Sequence, residues 1–266
     1  GRHFRPDVDP KKLAVYVAMA SASDVLAKGG QARNFFVDLV LPTRKVVAFD
    51  IARGQSLRKM QQHFADGVSM LGAKLSRVTV HHANVPVPVL QIVVTGVVGR
   101  HGIWPLAGLK KGMGIYVVGR LGGPAARNYR IHPKELVDNL LARQRFTQAF
   151  ARPAGSRPLV LGTDTSDGLA KALLNLQRFR EDQDVSIVID QAALQAVLAP
   201  GASIDQGLYG GDDYALVIAG NLSETDDLAP IGIVQPLTTR CGVFLKNGAG
   251  LTPVKMKEFE RLSTAA

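Results

Sequence analysis

The stretch that most constrains this chain is 162–171, Gly-Thr-Asp-Thr-Ser-Asp-Gly-Leu-Ala-Lys. A short apolar run, Pro158-Leu-Val-Leu161, leads into it and reads as a buried strand or a short approach segment. Behind it Leu169, Ala170, Ala172, Leu173, Leu174 and Leu176 recur with the spacing of a helix face. Two carboxylates, Asp164 and Asp167, and the hydroxyl of Ser166 therefore stand where the chain enters a helix. Helix starts favour such side chains because they accept the unpaired backbone N–H groups. Two acids this close also suit a divalent cation whose remaining ligands are phosphate oxygens. The ten residues alone leave both readings open.

The rest of the chain narrows the choice. With 266 residues, 46% hydrophobic and 20% charged, it is globular and long enough for two domains. No apolar run approaches the ~20 residues that span a bilayer. Cys241 is the single cysteine, so no internal disulfide forms and a reducing, cytoplasmic setting is expected. No secretory signal is visible, and the first residue is Gly1 rather than Met, which implies a natural start upstream. The net charge of +10 favours anionic partners. Its 32 Lys and Arg are scattered, however, in spots such as Arg143-Gln-Arg145 and Arg178-Phe-Arg180. Without a basic tail, a zinc spacing or interleaved aromatics, nucleic acid is disfavoured and a modestly cationic surface accounts for the charge.

Taken in order, the spacing predicts a helix over 11–28, ended by Gly29-Gly30 and carrying Ser23-Asp24 among small residues. A strand over 35–41 stops at Pro42. One long helix or two shorter ones fill 43–71, and Gly72-Ala73 breaks them. Residues 77–82 and 87–98 are strand-like. A strand in 112–123 runs into the turn Gly119-Arg-Leu-Gly122-Gly123, whose glycines would let backbone amides approach phosphate. A helix over 133–150 starts on Pro133, and 151–157 is a linker. After the opening stretch and its helix to about Phe179 come a strand over 185–189 and a helix over 191–198. Then Gly210-Gly-Asp-Asp-Tyr214 meets a strand over 214–219, followed by strands at 231–234 and 241–245 and a polar tail from Lys255. There is no GxxxxGK[ST] loop, and the histidines form no metal-binding spacing. Any metal would be held by carboxylates, which suits magnesium and nucleotide chemistry.

These motifs together resemble the aminoimidazole ribonucleotide synthetase-like ATP-binding superfamily and, within it, the thiamine-monophosphate kinase family. Gly1-Arg-His-Phe4, Ser23-Asp24-Val-Leu-Ala-Lys-Gly29 and Gly119-Arg-Leu-Gly122 match family segments in order, as do Asp164-Thr-Ser-Asp-Gly-Leu169, Gly210-Gly-Asp-Asp-Tyr-Ala-Leu216 and Ile231-Gly-Ile-Val234. The resemblance implies an α/β (α+β) chain of two domains, 1–108 for ATP binding and dimerisation and 109–266 as an α/β sandwich. Two N-terminal sheets would pair into a barrel, giving a homodimer. The implied reaction moves the γ-phosphoryl of ATP onto thiamine monophosphate with Mg2+. Carried over by position, Asp24, Asp164 and Asp167 would hold magnesium. Ser166, Gly72, Ala73, Lys74, Gly119 and Gly122 would face ATP, and His3, Asp212 and Tyr214 would line the substrate site.

The chain also departs from the family pattern. Lys74 occupies a metal-binding aspartate position, and Leu106 and Met113 replace an ATP-facing Arg and an Asp. Ala215 stands where the family has Glu, the closing aromatic segment is not found, and the upstream acidic segment is absent. Two functions therefore remain: a working kinase, or a diverged member that binds a nucleotide or phosphometabolite, or serves as a partner subunit, without the transfer.

Overall fold

The computed structural model describes residues 10–43, 57–85, 89–99, 102–129, 132–150, 159–222, 228–237 and 241–255. His3 and its segment, the region 44–56, the linker and the C-terminal tail lie outside the described residues. The fold is mixed α/β and is built on two sheets.

The first sheet follows from the N-terminal pattern. Helix α1 (Pro10–Ala27) leads into β1 (Gly30–Pro42), then α2 (Leu57–Ser69), β2 (Lys74–Ala83) and β3 (Val89–Val98). The strands lie in the order β2-β1-β3, parallel between β1 and β2 and antiparallel between β1 and β3. Strand β1 starts five residues before the Phe35 expected from its apolar run, because ladder bonds to β3 continue down to Gly30. Strand β2 starts three residues before the Arg77 expected, because Lys74 already pairs with Asn34 of β1. Helix α1 is apolar on nearly every side: Leu13, Ala14, Val15, Tyr16, Ala18, Met19, Ala22 and Leu26 are all buried. A helix hydrophobic all round belongs inside a protein. Accordingly, α1 touches α2, β1 and β3, and also the later helix α4 (Pro133–Phe150) and strand β5 (Val160–Asp164).

The second sheet has seven strands: β4 (Gly114–Val118), β5 (Val160–Asp164), β6 (Val185–Asp190), β7 (Leu216–Gly220), β8 (Ala229–Pro236), β9 (Val243–Asn247) and β10 (Gly250–Pro253). Their order is β10-β9-β6-β8-β4-β7-β5, antiparallel except for β6–β9. Between them run α3 (Gly123–Ala126), α4 (Pro133–Phe150), α5 (Leu169–Arg178), α6 (Gln191–Ala196) and α7 (Ile204–Tyr209). Side chains alternate across a strand, so β7 serves two cores. Val217 and Ala219 join α5 and α6, while Leu216 and Ile218 face Trp104 and Phe146. Each fully buried leucine of α5, such as Leu169, Leu173 and Leu176, contributes about 1.5–3 kcal/mol.

Trp104 ties the two sheets together: its backbone N–H donates to the Lys28 carbonyl at 3.1 Å, and its ring meets Phe146 edge-on. The two sheets thereby bring the C-terminal end of α1 against the end of β5. No described helix is long and apolar enough to cross a membrane.

Candidate phosphate and cation site

The opening stretch does not cap its helix. Gly168 is the N-cap residue of α5, at φ 93°, and has no side chain to accept the free N–H groups there. Glycine is required twice over: its φ is left-handed, and a Cβ would stand 3.0 Å from the Leu208 carbonyl oxygen. Thr165 is committed to the Ala215 amide, which donates to its hydroxyl at 3.0 Å. Asp164, Ser166 and Asp167 are thus released from the capping duty their sequence suggested.

Asp164 is instead held by α1. The Ser23 hydroxyl donates to its Oδ2 at 2.5 Å, and Ser166 donates to its Oδ1 at 3.0 Å. Asp24, the next residue of α1, keeps solvent contact, and its carboxyl is raised above the usual range. Burial is the main cause; Asp164 and Asp167 add repulsion, while Arg143 and Lys28 oppose it. The three acids expected to hold magnesium therefore share one electrostatic field. Asp167 is exposed and pairs with Lys171 one turn along α5. Among the described residues no three His, Cys, Asp or Glu side chains are grouped so that together they could hold a metal ion. The donor set is hard oxygen, which fits Mg2+ held by one or two carboxylates and completed by phosphate and water.

Two cations missed by the sequence reading lie beneath these acids. Lys28, four residues after Asp24, is half-buried and donates to the Gly162 carbonyl at 2.8 Å. Burial lowers its ammonium, and Asp164 and Asp24 partly restore it. Arg143 of α4 is fully buried, and burial lowers its guanidinium to about 10 against the same two carboxylates.

The second motif sits beside the first: the Asp212 amide donates to the Ser166 carbonyl at 2.9 Å. Asp212 and Tyr214 both adopt left-handed φ, 57° and 50°. That conformation is tolerated by Asp and costs Tyr about 1 kcal/mol or more. Strand β7 accordingly starts at Leu216 rather than at Tyr214. Asp212 Oδ1 accepts from both Tyr16 and Tyr214 hydroxyls, at 3.1 and 3.2 Å. Tyr214 is itself buried in the core with α1 and α4. A cleft opens alongside, lined by Tyr16, Arg127, Tyr129, His132, Asp212 and Asp213 among others. Asp213 is 2% exposed, and neither carboxylate oxygen reaches full hydrogen-bond geometry with a described partner. Burial raises its carboxyl well above the usual range, and the Gly122 and Gly123 amides facing it pull it partly back.

The glycine turn is closely packed where a side chain would stand. A Cβ on Gly122 would stand 2.9 Å from both the Gly207 amide and Ala202, and one on Gly119 would meet Asn139 Oδ1 at 2.8 Å. Gly72 ends α2 at φ 65°, its amide bonding the Ser69 carbonyl, and Ala73 packs against the α1 core. Lys74 is exposed on β2, an edge strand. The structure thus brings together Asp24, Asp164, Ser166, Asp167 and Asp212, and shows Gly72, Ala73, Lys74, Gly119 and Gly122 in local structural settings of their own. Met113 is buried at 5% exposure, and Leu106 packs against the same core.

No protein-family model matches the chain. The thiamine-monophosphate kinase of Synechococcus elongatus is 26% identical over 235 residues, which are 82% of this chain and 68% of that protein. The solved thiamine monophosphate kinase of Aquifex aeolicus superposes with a TM-score of 0.66 at 20% identity, covering 91% of this chain and 83% of that one. AaThiL complexed with AMPPCP and TMP gives 0.63 at 20% identity, over 91% and 79%. The hydrogenase maturation protein HypE of E. coli gives 0.67 at 17% identity, over 98% and 84%. The chain is thus similar in sequence to a thiamine-monophosphate kinase and has the fold that those kinases share with HypE.

Proposed function

We propose that this chain is an ATP-dependent, magnesium-requiring phosphotransferase that moves the γ-phosphoryl of ATP onto a small phosphorylated acceptor, thiamine monophosphate first among them. One observation carries this reading: α1, β5 and the Gly210–Tyr214 segment deliver Ser23, Asp24, Asp164, Ser166 and Asp212 to one place. The sequence similarity to a kinase of that name, and the shared fold of a protein complexed with AMPPCP and TMP, support it.

In this reading Asp24, Asp164 and Asp167 would supply carboxylates to Mg2+, which when bound would neutralise charge on the phosphate oxygens. Ser166, whose hydroxyl donates to Asp164 Oδ1, borders the phosphates from the same turn. Gly72, Ala73, Lys74, Gly119 and Gly122 flank the nucleotide, and Asp212 and Tyr214, with His3, border the acceptor. The acceptor phosphate is already ionised at neutral pH and attacks without a general base. Its oxygen bonds to the γ-phosphorus, the bond to the β–γ bridging oxygen breaks, and ADP leaves. The protein's work is positioning.

A homodimer belongs to the same reading. The outer face of the three-stranded sheet leaves Val89, Val93 and Val97 nearly half-exposed in a row along β3. That row suits pairing with a second copy. Sedimentation should show a dimer that a Val93→Lys change dissociates. We place the enzyme in the cytoplasm, its single cysteine being exposed and free.

A second reading, nucleotide binding without transfer, is favoured by Lys74 at a metal-binding aspartate position of the family pattern and by the buried, apolar Met113. Incubating the protein with ATP, Mg2+ and thiamine monophosphate separates the two. Formation of the diphosphate supports the transferase. Bound ATP without product leaves only the second reading.

A further inference from the structure

Helix α4 carries a polar row on its buried side. Asn139 and Arg143 are four residues apart and so share a face, and both are buried between Leu136, Leu140 and the turns of the site. Asn139 closes two loops at once. Its Oδ1 accepts from the Arg120 amide at 2.8 Å, and its Nδ2 donates to the Arg120 and Asp213 carbonyls at 3.0 and 2.8 Å. One turn later, Arg143 is 0% exposed. Its Nη1 donates to Ser23 Oγ at 2.8 Å and to the Tyr214 carbonyl at 2.7 Å, and its Nη2 donates to the Ser23 carbonyl at 2.5 Å.

The direction of these bonds is fixed. A guanidinium only donates. Ser23 Oγ therefore accepts from Arg143 and spends its own proton on Asp164 Oδ2, while Ser166 supplies Oδ1. Both oxygens of Asp164 are thus pinned by donors, and the remaining lone pairs have a set direction. The same guanidinium holds the carbonyl of Tyr214, whose left-handed backbone would otherwise relax.

We propose that Arg143 is a positioning residue: acting through Ser23 it orients the Asp164 carboxylate, and through the Tyr214 carbonyl it sets the Asp212–Tyr214 turn. Its consequence for catalysis rests on the phosphotransferase reading; the ordering of the two turns does not. Lysine in its place would keep the charge and lose the planar fork.

The test compares wild type with Ser23→Ala, Ser23→Thr and Arg143→Lys. Amide hydrogen exchange is read in the free protein at Gly168 and Asp212, in the two turns, and at Ile187 and Val234, in the distant strands. Binding of AMPPCP is read with and without Mg2+. In Ser23→Ala the turn amides should exchange about tenfold faster, with the strand amides changed by less than about twofold. Magnesium-dependent affinity should fall about tenfold, the cost of one charge-assisted hydrogen bond, and affinity without Mg2+ should hold. Ser23→Thr, which keeps the hydroxyl, should restore both, and Arg143→Lys should behave as Ser23→Ala. Unchanged turn amides, or turn and strand amides accelerating together, overturn the proposal, as does failure of threonine to rescue. If wild type binds no AMPPCP, the phosphotransferase reading falls, and the exchange comparison alone decides the positioning role.

Discussion

Ser23 and Asp164 are 141 positions apart in sequence, yet one hydrogen bond of 2.5 Å joins them. That bond sets the two candidate cation ligands of the C-terminal half apart. Asp164 is part-buried and bound at both oxygens, whereas Asp167 is exposed and pairs with Lys171. Asp164→Asn removes one of the two carboxylates that compensate Arg143, and should cost about 1–3 kcal/mol of stability. Asp167→Asn should leave stability within about 0.5 kcal/mol. Both should abolish magnesium-dependent nucleotide binding. Urea denaturation with calorimetric AMPPCP titration checks the contrast; unchanged affinity in Asp167→Asn would remove it from the cation site.

Tyr16 and Tyr214 converge on one oxygen, Asp212 Oδ1, with their hydroxyls 3.2 Å from each other. Groups that share a partner do not contribute additively. Tyr16→Phe and Tyr214→Phe should each cost about 1 kcal/mol, and the double variant should cost measurably less or more than the sum. Denaturant midpoints of the four proteins provide the cycle, and strict additivity would mean the triad is not coupled in solution.

Asp213 should give the protein a distinctive pH dependence. Its carboxyl is raised in the folded state, chiefly by burial, above the value of 3.8 it has when free. Below that value both states hold the proton and there is no penalty. As pH rises, the unfolded chain releases its proton first, so stability falls until the folded carboxyl ionises as well. Asp213→Asn carries no such proton, and its stability should decline less between pH 4 and neutrality, by about 1–3 kcal/mol. Thermal melts across that range test this, and parallel profiles for the two proteins would refute it.

Much of this architecture was legible from local pattern. Helix α4 runs from Pro133 to Phe150 as its spacing predicts, and β4, β6 and β8 fall within a few residues of expectation. Short elements were harder. Helix α7 begins with a capping box, Ser203 with Gln206, whose sequence signature, Ser-Ile-Asp-Gln, is short and stands next to the richer motif that follows. At Tyr214 the β-favouring residue type was overridden by a left-handed backbone fixed from α4. Within the site, the acids were found because motif residues carry their own signal. Arg143 was read as one of many scattered cations, since burial depends on partners far along the chain. Its clue was position: with Asn139 it interleaves Leu136 and Leu140, on the side of α4 that must face inward.

Lys28 tests how strongly the chain's own charges compete with a cation. Its ammonium lies in the field of both Asp24 and Asp164, and it replaces part of the positive charge a divalent ion would bring. Lys28→Met keeps the aliphatic stem and removes the charge. The hydrogen bond to Gly162 is lost, which should cost about 1 kcal/mol. The two carboxylates then gain more from a bound cation, because less of their mutual repulsion is already offset. Magnesium affinity, measured with AMPPCP present, should therefore rise about three- to tenfold, an effect of the size expected for one partly screened charge. The gain should shrink as ionic strength increases. A loss of magnesium affinity would show instead that Lys28 acts with the phosphates, as a direct ligand of the nucleotide rather than as a counter-ion to the acids.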